Sequence, residues 1–288
     1  MLKVILILHF AVFLSGFTGV FGRLITYDAF VLVYIRFIIA GLAAYAFVKI
    51  THKLVKVSFK DKLRFMFTGA LLTLHLIFFY LSIKLSDVSI GTITLASASF
   101  FTAILEPRIT GAKFKKKNLL FSLLNILGLL LIFNLDTKYQ LGIAVGMVGA
   151  LLSSLYALFN GRYSHHKEPN TVVTYQMLGG FALVNLLAPF YLVFKGTENL
   201  YYNGMDLFYL FILATVLTVF LYFLVVGLSN KISAFTLSLT FNLEPIWAIV
   251  FAMVIFHEQS ELNFSFYIGL VLMISSVCLQ NLSVRRAK

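Results

Sequence analysis

Apolar residues along this chain gather in runs of about twenty, parted by short polar or basic links. The runs lie near 3–22, 28–48, 65–84, 88–111, 117–135, 141–160, 171–194, 206–229, 232–256 and 264–284. Each is long enough to cross a hydrocarbon core of about 30 Å as a helix. None alternates apolar with polar residues as barrel strands do, and backbone groups in hydrocarbon must bond internally, so the spans are expected to be helices. The pattern predicts an all-α membrane protein of ten transmembrane helices, with both chain ends on one side. The first run continues through Gly16, Gly19 and Gly22 and is read as a span rather than a removed leader.

Composition strengthens this reading. Of 288 residues, 60% are hydrophobic and 12% charged, and mean hydropathy is +0.95. A soluble domain carries about 25% charged residues. The net charge of +12 raises the question of nucleic acid, but the basic residues sit in links between spans, where orientation signals belong. No nucleic-acid partner is expected. The single cysteine, Cys278, allows no internal disulfide.

Charge then sets the orientation. Of the 23 Lys and Arg, 17 fall at the amino-terminal side of the spans. Four, Arg23, Lys84, Lys138 and Lys195, fall opposite, and Arg36 and Arg108 lie within spans. Positive residues favour the cytoplasm, so both termini are expected there.

The chain also resembles itself. SGFTGVFGR at 15–23 matches SLYALFNGR at 154–162, Tyr34 opens YIRFIIAGL where Tyr175 opens YQMLGGFAL, and Leu85-Ser86 corresponds to Leu228-Ser229. Residues 1–139 and 140–288 therefore read as two copies of a five-helix unit. Five is odd, so the copies are inverted, an arrangement that in secondary transporters puts the solute site near the midplane between repeats.

Polar residues within the spans fall into stripes at helical spacing. Span 1 has Ser15 and Thr18; span 3 has His75, with Tyr80 nearby; span 4 has Thr92, Ser99 and Glu106. Span 6 has Ser153, Tyr156 and Asn160; span 8 has Tyr222; span 9 has Thr236, Thr240, Glu244 and Trp247. Small polar residues also serve close packing of membrane helices. The richest stripes nevertheless fall on spans 1, 3 and 4 and on their repeat mates 6, 8 and 9, which makes these residues candidates to line a solute cavity. Spans 2, 5, 7 and 10 are expected to support from outside. Glu244 and Glu106 are the acidic residues well inside spans, each followed by proline, and are the candidates for coupling or gating. Arg36 reads as a structural charge held by a carboxylate or carbonyls.

Other chemistry is missing. There is no GxxxxGK[ST] loop to bind ATP phosphates and no triad or paired-carboxylate constellation. His165-His166 has no ligand neighbours at metal spacing. No enzyme activity, cofactor or metal is expected.

These features together resemble the EamA family of the drug/metabolite transporter superfamily. The resemblance is carried by Gly16-Phe17-Thr18-Gly19, by Tyr34-Ile35-Arg36-Phe37 with Ala40, by GIAVGMVGALLSSLYALFNGR at 142–162, and by Leu243-Glu244-Pro245 leading to Phe256-His257-Glu258. The chain departs from the family in carrying Leu14-Ser15 where a tryptophan usually precedes the span 1 glycine. Its first repeat has Leu105-Glu106-Pro107 in place of a mid-span proline and a terminal glutamate. Spans 1 and 6 have no acidic residue, so the proton exchange of small multidrug-resistance relatives does not carry over. The resemblance implies a secondary transporter in the cell inner (plasma) membrane. It would move small metabolites such as amino acids, outward, by alternating access. Its partners are then a small-molecule solute and the lipid bilayer, with proton coupling and a monomer or homodimer both open. A broad drug or nucleotide-sugar carrier is the competing transport reading, and a membrane scaffold or membrane-embedded enzyme the reading of another class.

Overall fold

The protein is described from a computed structural model that covers residues 2–51, 54–133, 139–197, 203–256, 265, 267–269, 271–272, 274–276 and 279. Every regular element among the described residues is helical. In chain order these are α1 (Leu2–Leu24), α2 (Ala29–Thr51), α3 (Phe59–Leu85), α4 (Val88–Leu95), α5 (Ala98–Thr110) and α6 (Lys116–Phe133). There follow α7 (Gln140–Tyr163), α8 (Pro169–Lys195), α9 (Gly204–Ala214), a π-helical turn (Thr215–Phe220), α10 (Leu221–Ser229), α11 (Ala234–Phe241) and α12 (Glu244–Phe256).

Eight segments are long and apolar enough to cross a membrane, and they coincide with expected spans 1–4 and 6–9. Span 5 corresponds to α6. Span 10, with Cys278 and Gln280, lies largely outside the described residues, which hold only a shorter apolar helix there, Tyr267–Ser276. His257 and Glu258 also lie outside them.

Helix starts follow local chemistry. Ser58, Asp87, Glu168 and Ser233 each accept a bond from a backbone N–H in the first turn of α3, α4, α8 and α11, satisfying a donor the helix leaves open. Gly111 ends α5 at φ 75°, a left-handed conformation that suits glycine.

Three expected spans are interrupted rather than straight. In span 4 the chain tightens between α4 and α5, where Ala96 N–H bonds Ile93 O and Ser97 N–H bonds Thr94 O. The Thr92 and Thr94 hydroxyls bond carbonyls of the same helix just before this point, and such back-bonding bends helices. In span 9 the same turn recurs between α11 and α12, with Asn242 N–H on Leu239 O and Leu243 N–H on Thr240 O. Here Pro245 has no N–H to give the carbonyl one turn earlier. In span 8 the π-helical turn separates α9 from α10.

The core sits where α3 packs against α7 and α8, α2 against α8, α1 against α12, and α5 against α7 and α11. Large apolar side chains such as Phe190, Val193 and Phe194 cover the outside, as a lipid-facing surface requires. Links expected on one side of the membrane meet each other. Lys167 pairs with Asp61 at 3.0 Å, and the His166 N–H bonds Asn230 Oδ1 at 3.2 Å. At the other end Asp206 accepts from Thr26, and Lys84 Nζ donates to Ile25 O at 2.5 Å.

Candidate functional site

Where α1, α2, α3, α7 and the three interrupted spans converge, they line a cavity of about 100 Å³, measured to the centre of a water-sized sphere. At roughly 10–15 Å³ for each water so measured, it has room for several waters or a small solute. Its polar wall comprises Ser15, Thr18, Arg36, His75, Ser153, Tyr156, Tyr222, Ser238, Asn242 and Glu244. Its apolar wall includes Leu76, Phe79, Leu95, Leu237 and Phe241.

Glu244 opens α12 at the break in span 9 and is 5% exposed. Thr18 Oγ1 lies 3.4 Å from its Oε1, with Ser15 on the same face of α1. Arg36 projects from α2 and is 1% exposed. Its Nε donates to Thr218 Oγ1 at 2.6 Å, one terminal nitrogen to Tyr80 OH at 2.6 Å, and the other to Leu217 O at 3.2 Å. Tyr80 OH in turn lies 3.4 Å from Thr18 O. A chain of contacts thus runs from the buried cation to the buried carboxylate without an ion pair between them. His75 Nδ1 lies 3.0 Å from Gly149 O. A carbonyl only accepts, so Nδ1 carries a proton there.

Asn242 ties the two helix breaks together. In the orientation that satisfies its neighbours, its amide nitrogen donates to Ala96 O at 3.0 Å and to Ser238 O at 3.3 Å, and its oxygen accepts from Ser99 Oγ at 3.0 Å. Thr102 Oγ1 reaches Ser154 Oγ at 3.0 Å and Ser238 Oγ at 3.3 Å beside it.

Of the residues expected to line a cavity, Ser15, Thr18, His75, Ser153, Tyr156, Tyr222 and Glu244 meet here. Others lie elsewhere. Tyr80 is buried behind Arg36. Ser99 is taken up at the helix crossing, and Thr92 bonds Val88 O against Gly19. Asn160 sits further along α7, accepting from Gln176 at 2.8 Å and donating to Ser229 Oγ at 3.1 Å. Thr240 bonds Thr236 O, and Thr236 lies by its cap Ser233. Trp247 faces outward, 38% exposed, against Phe13 and Phe251. Glu106 is half-buried beside the backbone N–H of Phe235 at the start of α11, outside the cavity wall. Anions are favoured at such a helix start. Arg36, Ser238 and Asn242 were not expected in the wall. Span 2 therefore contributes to the site instead of only supporting it. Among the described residues no three His, Cys, Asp or Glu gather as metal ligands.

Membrane-length helices folded around a small cavity with a buried cation and a buried carboxylate describe a multi-pass membrane protein with an internal polar site. The model of the EamA-like transporter family matches residues 2–134 and 140–282, nearly the whole chain in two stretches. The chain belongs to that family of membrane transporters. A solved crystal structure of a protein shares the fold, with a TM-score of 0.73, 13% identity and 99% of both chains covered. No curated protein sequence matches the chain.

Proposed function

We propose that this protein is a secondary transporter that exports a small metabolite, an amino acid or a related compound, across the inner (plasma) membrane by alternating access. The observation that carries this reading is Glu244, a buried carboxylate at a helix break facing the central cavity. Discontinuous helices at the midplane are where transporters of inverted-repeat design hold their solutes. The two family matches, the paired breaks in spans 4 and 9 and the charge bias support units 1–139 and 140–288 as inverted repeats, ten spans in all, with cytoplasmic termini.

Alternating access needs ties at both ends of the bundle that form and break in turn. Asp61–Lys167 at one end and Asp206–Thr26 at the other each join the first half to the second and are suited to that role. Glu244 takes a solute amine or a coupling proton. A hydroxyl has one proton. Thr18 Oγ1 lies 2.6 Å from Ser15 O and 3.4 Å from Glu244 Oε1, so its single proton can be given to either oxygen.

The test is amino-acid flux in proteoliposomes, with and without a pH gradient. Glu244→Gln is expected to fold and to lose at least about tenfold in rate, as removal of a charge-assisted contact does. Wild-type flux in that variant would remove Glu244 from the mechanism.

A further inference from the structure

We propose that Arg36 is the carboxylate-receiving group of the cavity, so that the transported molecule bears a carboxylate and an amine together. The proposal rests on the transport reading above and adds to it the group that selects the solute.

Arg36 is a buried cation whose three contacts, Thr218 Oγ1, Tyr80 OH and Leu217 O, are all neutral. Among the described residues no carboxylate lies within ion-pair distance of it. A buried charge is costly unless an anion meets it. The three bonds use three of the five N–H groups of a guanidinium and fix its plane, leaving two on a side chain that lines the cavity.

The backbone of span 8 is shaped for this holding. In a regular α-helix the Leu221 N–H would bond Leu217 O. In the π-helical turn it bonds Val216 O and Thr218 O instead. Leu217 O is thereby released, and Arg36 takes it. The Thr218 hydroxyl reaches back to Leu213 O at 2.7 Å, which fixes the oxygen that accepts from Arg36 Nε. Such π turns recur at functional sites. Here the local cost of the turn holds a cation at the cavity wall with hydrogen-bonding capacity to spare.

Glu244 faces the same cavity, held by Thr18 and not by Arg36. A cation and a carboxylate held apart, with Leu76, Phe79 and Phe241 in the same wall, complement a zwitterion with an apolar side chain. A simple amine leaves Arg36 unmatched, and a simple acid leaves Glu244 facing like charge, so both are disfavoured.

The experiment uses the purified full-length protein. Each common L-amino acid is screened for thermal stabilisation and for counterflow in proteoliposomes. For each that acts, its carboxamide and its decarboxylated amine are compared with it. The acid is expected to be preferred by at least about tenfold over both analogues. In Arg36→Gln that preference falls to about one, because the group that reads the carboxylate is gone. In Thr218→Val the guanidinium stays but loses its Nε acceptor, and the preference falls at least about threefold. Equal action of acid and amide on the wild type overturns the Arg36 assignment while the transport reading stands. Action of none of the amino acids overturns both. Where Arg36→Gln does not fold, Thr218→Val decides: a preference within about twofold of wild type there overturns the assignment.

Discussion

The contact between α3 and α8 gives the sharpest quantitative test of the fold. A methyl group added at Gly69 would sit 1.9 Å from the Gln176 carbonyl oxygen, and one at Gly179 would sit 2.1 Å from that of Met66. Ordinary van der Waals contact begins at 3.4 Å, and the obstacle at both sites is backbone, which cannot swing aside. Gly69→Ala therefore requires the two helices to part by about 1.5 Å, an overpacking cost of roughly 1–3 kcal/mol. The Gln176 side chain bridges this same interface, with Nε2 3.1 Å from Thr68 Oγ1. Parting on that scale breaks this bond, at about 0.6 kcal/mol within a membrane. The total of about 2–4 kcal/mol corresponds to a fall in Tm of roughly 5–15 °C. Gly41 has nothing within 4 Å of the added methyl and is the matched control, so Gly41→Ala is expected within about 2 °C of wild type. The assay is fluorescence-monitored thermal unfolding of the full-length protein in mild detergent. Melting of Gly69→Ala together with Gly41→Ala would refute the close backbone crossing.

Two further outcomes follow from the ends and the outside of the bundle. Asp206 is 1% exposed, and its two carboxylate oxygens each lie 3.1 Å from the Thr26 N–H. Asp206→Ala is expected to lower Tm by roughly 5 °C, from a loss of about 1–3 kcal/mol. In a double-mutant cycle, adding Thr26→Ala should cost little more, and fully additive losses would show that the two residues do not act together. Trp247 packs among Phe13 and Phe251 on the outer surface. Trp247→Phe is expected to change counterflow rates by less than about twofold, since the remaining aromatic packing is worth only about 0.5–1.5 kcal/mol. A tenfold loss would instead put Trp247 in the solute path.

The spans were legible in the sequence because hydrocarbon tolerates so few backbone solutions that apolar length alone identifies a helix. The limits of the stripe argument are equally physical. Thr236, Thr240, Glu244 and Trp247 share a face only if one helix runs through all four. The tight turn at Asn242 and Leu243 resets the helical phase, which leaves Glu244 in the cavity wall and sends Trp247 outward. Glu106 lies beyond the matching turn in span 4 and is displaced in the same way. Pro245 was a visible signal for the second break. The first has no proline, and its nearest signal is the pair Thr92 and Thr94, which reads equally as packing. Asn160 shows another limit, since it shares a face with Ser153 and Tyr156 but stands two turns beyond Ser153, past the end of the cavity. Arg36 was visible as a charge within a span. Its place in the wall was not, because the π-helical turn that receives it has no marker in the residues 215–220.

The paired breaks give the two halves a common landmark that sequence similarity alone did not supply. Ala98 opens α5 where Glu244 opens α12, so Glu106 stands eight residues past the counterpart of Glu244 and is not its repeat mate. The Tyr34–Tyr175 correspondence likewise matches Arg36 with Met177, a fully buried apolar residue. Each half thus contributes one charge to the cavity, at positions that are not equivalent: the cation from the first and the carboxylate from the second. On the transport reading, rocking of one half against the other changes the separation of Arg36 and Glu244 directly. A bound zwitterion bridges the two and ties the halves at one spacing. An empty cavity lacks that bridge, and Arg36 then keeps only its neutral partners Thr218, Tyr80 and Leu217 O. A ligand shifts such an equilibrium only through the difference in its affinity for the two states. Dividing the charges between the halves makes that difference depend on the relative position of the halves themselves.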